Sequence, residues 1–76
     1  MAVLPLLRPR DVIRAFEKTG WRVTRQRGSH IILTRPGASV TLLIPDHDLV
    51  ARGTLRTLIA AAGITVEQFL LDAERR

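Results

Sequence analysis

The order of apolar patterns along the chain predicts an α+β fold with three antiparallel strands between helices. A helical stripe of apolar residues comes first. Three short segments rich in β-branched residues follow, separated by turn pairs that contain glycine or proline. Two further helical patterns close the chain. Because strands and helices are grouped along the chain and do not alternate, this order favours an α+β fold over a parallel sheet.

The first helix is predicted over residues 9–19. Pro9 suits the first helical position, where its missing N–H costs no hydrogen bond. Val12, Ile13 and Phe16 form one apolar stripe along it. Gly20 is expected to end this helix as a left-handed cap.

The three strands are predicted over residues 21–27, 30–35 and 39–44. The first two are separated by Gly28-Ser29, a two-residue loop whose leading glycine is typical of a type II′ hairpin. Pro36-Gly37 is a second turn pair. Since both connections are short, the strands should form an antiparallel meander.

The rest of the chain predicts a polar loop over residues 45–52 and two more helices. The helix over 54–62 places four apolar residues on one side and closes at Gly63; they are Leu55, Leu58, Ile59 and Ala62. Thr65 and Gln68 have capping-box spacing and open a short last helix. The helices need one face of the sheet to cover their apolar sides, which leaves the opposite face to solvent or a ligand.

Length and composition exclude several classes of protein. The 76 residues indicate one domain, 1–76, which on folding buries only ~60% of its unfolded surface. The absence of cysteine excludes disulfide scaffolds and thiolate metal sites. No apolar run approaches the ~20 residues that span a bilayer. We therefore expect a soluble, cytoplasmic domain without a cofactor.

The charge of the chain is segregated. Eleven arginines and one lysine oppose seven carboxylates, for a net charge of +5. Four of the seven acids lie at or beyond Asp48, whereas four arginines surround the predicted hairpin: Arg22, Arg25, Arg27 and Arg35. Arginine binds phosphate with two parallel hydrogen bonds. This pattern predicts a basic face that binds nucleic acid.

The predicted hairpin brings a histidine next to an arginine. A two-residue loop pairs Arg27 with His30 and places Arg25 opposite Ile32 on the same face. Histidine exchanges a proton near neutral pH, so this pair suits chemistry at a phosphate. Burying His30 would also bury both arginines, which favours His30 on the open face.

The apolar pattern of the strands does not by itself decide which face of the sheet is buried. Trp21 and Val23 share the face of His30 in regular pleating, while Leu33 lies on the other face. Either Trp21 precedes the strand or a β-bulge changes the parity.

Two other segments are weaker candidates for a functional site. His47, in Pro45-Asp46-His47-Asp48, has too few well-spaced neighbours for a metal site. Asp46 or Asp48 is expected to stabilise this loop or to pair with an arginine. The backbone amides at Gly53-Thr54 could hold a phosphate, but ordinary capping by one of these residues is the favoured interpretation.

Several segments in order resemble the HicA-type toxins, which are small mRNA interferases of toxin–antitoxin modules. The resemblance covers about residues 8–70 and rests on these motifs: Arg8-Pro9-Arg10-Asp11-Val12-Ile13, Gly20-Trp21, Gln26-Arg27-Gly28-Ser29-His30, Ile44-Pro45-Asp46-His47 and Gly53-Thr54-Leu55-Arg56. It implies a fold like a double-stranded-RNA-binding domain and cleavage of mRNA that depends on His30. It also implies a HicB-type antitoxin that covers the His30 face.

The chain departs from this family in three respects. Arginine replaces the usual lysine, Ile31 stands where relatives often carry a polar residue, and residues 2–7 form a longer leader without an assigned function.

Together the residues and the resemblance suggest a mechanism. His30 would act as general base on a ribose 2′-hydroxyl, and His47 is a candidate general acid. No metal is required, because the nucleophile lies within the substrate. The expected RNA-binding residues are Arg22, Arg25, Arg27, Gly28, Ser29 and Arg35. The alternative is a non-catalytic module that binds RNA by shape, or a decayed toxin that only holds its antitoxin.

Overall fold

The computed structural model describes residues 3–74, and its elements follow the predicted order of helix, three strands and two helices. They are α1 (Pro9–Glu17), β1 (Arg22–Arg27), β2 (His30–Thr34), β3 (Leu42–Pro45), α2 (Arg52–Ala62) and α3 (Val66–Glu74). The strands form one antiparallel sheet in the order β1-β2-β3. This confirms the predicted α+β fold, which is like that of a double-stranded-RNA-binding domain.

The helices cover one face of the sheet. The core contains Val12 and Phe16 of α1, the four predicted apolar residues of α2, and Leu33, Leu42 and Ile44 of the sheet, while Ile13 is half-buried against it. The rings of Phe16 and Phe69 lie 5.2 Å apart between centroids and join α1 to α3. Such burial stabilises by about 25 cal/mol per Å² of apolar surface. The open face of the sheet, opposite the helices, is therefore free to carry a site.

The element boundaries differ from the prediction at several places. The C-cap of α1 is Lys18, two residues before the predicted cap at Gly20. β3 begins at Leu42 and not at residue 39, because the turn after β2 extends to an Ala38 N–H that donates to the Arg35 carbonyl. It also includes Pro45, which an edge strand tolerates.

The start of α2 also differs from the prediction. The helix begins at Arg52, and its N-cap Ala51 makes no side-chain hydrogen bond, so the predicted capping by Gly53 or Thr54 is wrong. A contact between distant segments explains where the helix starts. Val50 forms a bridge with Leu7, and its N–H donates to the Leu7 carbonyl at 2.7 Å, which directs the chain into the helix at the next turn.

The leader packs onto the rest of the fold. Leu4 is 1% exposed within the core, and its carbonyl accepts a hydrogen bond from Arg52 Nε at 2.8 Å. Sequence analysis assigned this segment no function. In the structure, residues 3–7 close the core beside the start of α2.

Across residues 3–74, no single helix is long and apolar enough to cross a membrane. Helices α2 and α3 meet that test of length and composition only as a pair, and they are bent by 104° from one another.

Candidate active site

The hairpin between β1 and β2 forms as predicted. Gly28 has a φ of +54°, and among the described residues only glycines have positive φ, as a type II′ turn with Gly28 in the first position requires. A Cβ atom on Gly28 would meet nothing within 4 Å, so backbone conformation and not space calls for glycine here. The turn sets Arg27 directly opposite His30.

A β-bulge in β1 aligns three arginines. The register shifts between Val23 and Arg25, and Trp21 precedes the strand. Both explanations offered for why Trp21 and His30 lie on different faces therefore hold. Thr24, the extra residue, donates its hydroxyl to the Ile32 carbonyl at 3.3 Å. As a result Arg22 faces Thr34, Arg25 faces Ile32 and Arg27 faces His30. We call Arg22, Arg25 and Arg27 the arginine column.

The third strand completes the open face with apolar side chains. Leu43 pairs with Ile32, and Pro45 pairs with His30. A depression of about 410 Å³ is lined by Arg27, Gly28, His30, Ile32 and Leu43. Ile32 is only 7% exposed although it points away from the helices, so this depression has an apolar floor with Arg27 and His30 at one side.

The side chains of His30 and the arginine column are available to a ligand. Within residues 3–74, the side chains of His30 and the arginine column make neither a hydrogen bond nor an ion pair, and all four residues are exposed. Exposed, unpaired guanidinium groups attract anions and can bind phosphate through two hydrogen bonds each. The open face therefore offers a cationic edge beside a group that can accept a proton.

A polar contact that sequence analysis missed holds the hairpin. Gln26 Nε2 donates to Asp46 Oδ2 at 3.1 Å and to the Gly28 carbonyl at 3.3 Å. The Asp46 N–H donates to the Ser29 carbonyl at 2.6 Å. Asp46 thus stabilises its loop as expected, but through Gln26 and the hairpin backbone and not through an arginine. We call Gln26 and Asp46 the hairpin clamp.

Arg35 lies apart from the arginine column. Its guanidinium carbon is 5.1 Å from the centroid of the Trp21 ring, and its Nη1 donates to the Thr19 carbonyl at 3.4 Å. The side chain is half-buried. These contacts give Arg35 a role in holding the turn before β1, and its predicted contact with RNA gains no support from the geometry.

His47 lies in a different depression from His30. It lines a volume of about 550 Å³ with Arg8, Pro9 and Arg10, and it does not line the depression that contains His30. A general-acid role for His47 therefore gains no support from its position. Over the same residues, 3–74, no three His, Cys, Asp or Glu side chains gather so as to hold a metal ion.

A comparison with protein families decides what kind of protein this is. The profile described as "HicA toxin of bacterial toxin-antitoxin" matches residues 9–64 of the 76-residue chain. The chain belongs to the HicA toxin family. The matched segment runs from α1 through α2 and contains the hairpin, His30 and the arginine column. A search of curated proteins found no match.

Membership of the HicA family has two direct consequences. It supports the role of a toxin in a toxin–antitoxin module, and it implies a HicB-type antitoxin as partner. Both agree with the resemblance found in the sequence motifs.

Proposed function

We propose that this HicA-family toxin is a metal-independent endoribonuclease that cleaves mRNA with His30 as general base. One observation carries the proposal, the cross-strand pair of Arg27 and His30 on the open face. Both side chains are exposed and, within residues 3–74, unpaired, and both line the depression with the apolar floor. A base and a phosphate-binding cation side by side suit cleavage of RNA by attack of its own 2′-hydroxyl on the adjacent phosphate.

The reaction needs only groups of the protein and of the RNA. A ring nitrogen of His30 takes the proton of a ribose 2′-hydroxyl, and the 2′-oxygen forms a bond to the adjacent phosphorus. The bond from phosphorus to the 5′-oxygen of the next nucleotide breaks, and that oxygen takes a proton from water. The hydroxide left by that water takes the proton held by His30, which restores the base. The products are a 2′,3′-cyclic phosphate and a 5′-hydroxyl end.

The arginines contribute electrostatics to this reaction. Negative charge builds on the phosphate oxygens as the new bond forms, and preorganised cations stabilise that charge. Arg27 is adjacent to His30, and Arg25 is the next member of the arginine column. Gly28 and Ser29 form the turn that sets this geometry. Arg22 lies at the end of the arginine column farthest from the turn, where it would bind a neighbouring phosphate.

The first experiment incubates the purified protein with labelled single-stranded RNA in EDTA. Wild type should cut, and His30→Ala should cut at least about 100-fold more slowly, since a general base contributes 10²–10⁴-fold. His47→Ala is the matched control and should retain activity, because His47 lies in a separate depression. Circular dichroism verifies folding of all three proteins. If wild type binds RNA without cutting it, the toxin acts by binding alone and the proposal is wrong.

A second substrate tests the nucleophile. A DNA strand that contains one ribonucleotide should be cut only after that ribonucleotide, because it alone supplies a 2′-hydroxyl. An all-DNA strand should bind and stay intact. Cleavage of both strands at a similar rate would contradict the mechanism.

We propose further that the HicB-type antitoxin covers the open face. The chain has two histidines, one on this face and one in the other depression, so their imidazole NMR signals report on two surfaces separately. Adding antitoxin should shift the His30 signal strongly and the His47 signal little, and it should stop cleavage. Inhibition with an unchanged His30 signal would place the antitoxin elsewhere.

A further inference from the structure

A second depression lies beside the first on the open face. It has a volume of about 530 Å³ and shares Arg27, Ile32 and Leu43 with the His30 depression. Its other walls include Arg25 and two threonines, Thr34 and Thr41. The two depressions therefore follow one another along the sheet, with Arg27 at their common boundary.

Thr34 ends β2, and Thr41 immediately precedes β3. They lie one position beyond the last pair of these strands, Leu33 with Leu42, and both line the second depression on the open face. Within residues 3–74, neither hydroxyl makes a hydrogen bond, whereas Thr24 in the same depression already donates to the Ile32 carbonyl. Thr34 and Thr41 thus present two free hydroxyls, each able to donate and to accept.

We infer that this second depression binds the nucleoside on the 3′ side of the cleaved phosphate, and that Thr34 and Thr41 select its base. The inference rests on the proposed function, since it takes the nucleoside attacked by its own 2′-oxygen to lie beside His30. The phosphate that joins two successive nucleosides then lies at Arg27, the cation that lines both depressions.

Charge complementarity favours RNA as the occupant of this surface. Each cross-strand pair on the open face of β1 and β2 includes a member of the arginine column, and these arginines make no hydrogen bond or ion pair within residues 3–74. Their contacts to backbone phosphates do not depend on the base sequence. Hydroxyl groups, in contrast, can hydrogen-bond to the base edges that a single strand exposes. Selectivity should therefore depend on the threonines, and affinity on the arginines.

The test compares cleavage positions in a random-sequence single-stranded RNA. Sequencing the 5′ ends of the downstream products gives the base preference of wild type, of the double variant Thr34→Val/Thr41→Val, and of Thr57→Val. Valine keeps the shape of threonine and removes the hydroxyl. Thr57 is the matched control, because its hydroxyl bonds to the Gly53 carbonyl within α2 and it lines neither of the two depressions.

Wild type should prefer some bases at the first downstream position. The double variant should lose about five- to tenfold of that discrimination, as expected for one or two neutral hydrogen bonds. Thr57→Val should keep the wild-type preference. A wild type without preference at this position, or a double variant that retains the full preference, would overturn the inference.

A binding measurement separates failure of this inference from failure of the proposed function. Fluorescence anisotropy with DNA homo-oligomers of adenine, cytosine and thymine measures base selection without cleavage. If wild type cuts no RNA, the proposed function fails, and the subsite is judged by these affinities. A narrower spread of affinities in the double variant supports the subsite, and an unchanged spread overturns it.

Discussion

Gly28 shows how much of the site depends on one backbone conformation. Its positive φ permits a two-residue turn, and that turn fixes the register in which Arg27 faces His30. A slip of one residue would send every side chain of the strand to the other face, which would bury His30 against the helices. The hairpin clamp adds hydrogen bonds to both turn residues, through the Gly28 and Ser29 carbonyls.

Replacing Gly28 by alanine should therefore destabilise the protein through its backbone alone. The free energy of unfolding should fall by about 1–2 kcal/mol, the cost of a left-handed conformation for a residue with a Cβ atom. Gly53→Ala is the control, because Gly53 is helical, lacks positive φ and has open space around it. The free energy of unfolding of that variant should rise by up to about 1 kcal/mol. Urea denaturation measures both, and equal effects would contradict the argument.

At the scale of elements, the bulge in β1 serves two faces at once. The extra residue places Trp21 and Val23 on the side of the helices and the arginine column on the open face. In a regular strand Arg22 would point away from Arg25 and Arg27. A single inserted residue thus reconciles an apolar core with a continuous row of cations, a use of bulges that is common near functional sites.

Helix α3 depends in a comparable way on Thr65, the residue that precedes it. Thr65 Oγ1 accepts a hydrogen bond from the Gln68 N–H at 3.0 Å, which confirms half of the predicted capping box. Gln68 turns its own side chain to Asp72. Thr65→Ala should lower the free energy of unfolding by about 1 kcal/mol.

The control for Thr65 is Thr57→Ala within α2, where alanine is the better helix former. It should leave stability unchanged or raise it by about 0.5 kcal/mol. Thermal unfolding followed by circular dichroism distinguishes the two variants, and a larger loss from Thr57→Ala would contradict the capping argument.

At the scale of the whole molecule, the leader is part of the core. Leu4 is buried to the same degree as Trp21. Two contacts near the start of α2 hold residues 3–7 in place: Val50 forms a bridge with Leu7, and Arg52 donates to the Leu4 carbonyl. A chain this small buries a limited core, so each large side chain contributes a substantial share of its stability.

Leu4→Ala should accordingly cost about 2–5 kcal/mol, as other core leucines do. Leu6, two residues along, is 45% exposed, and Leu6→Ala should change stability by less than about 0.5 kcal/mol. Urea denaturation of both variants checks the difference. Similar small losses would show that the leader does not contribute to the core.

Local signals explain which features sequence analysis could predict. Periodicity and turn residues act over a few positions, so the elements and the pairing of Arg27 with His30 were predictable. The parity conflict at Trp21 pointed to the bulge. Contacts between distant segments have no such signal: Gln26 and Asp46 are 20 residues apart, and Arg52 and Leu4 are 48 apart. The separation of the two histidines is likewise a product of tertiary structure.

The burial of Trp21 has a practical consequence for spectroscopy. It is the only tryptophan in a chain without tyrosine, and it lies 1% exposed on the side of the helices, away from the open face. Its intrinsic fluorescence therefore reports unfolding of the core without direct contact from a bound ligand. RNA or antitoxin that binds the folded state would then appear as a higher urea midpoint in an unlabelled sample.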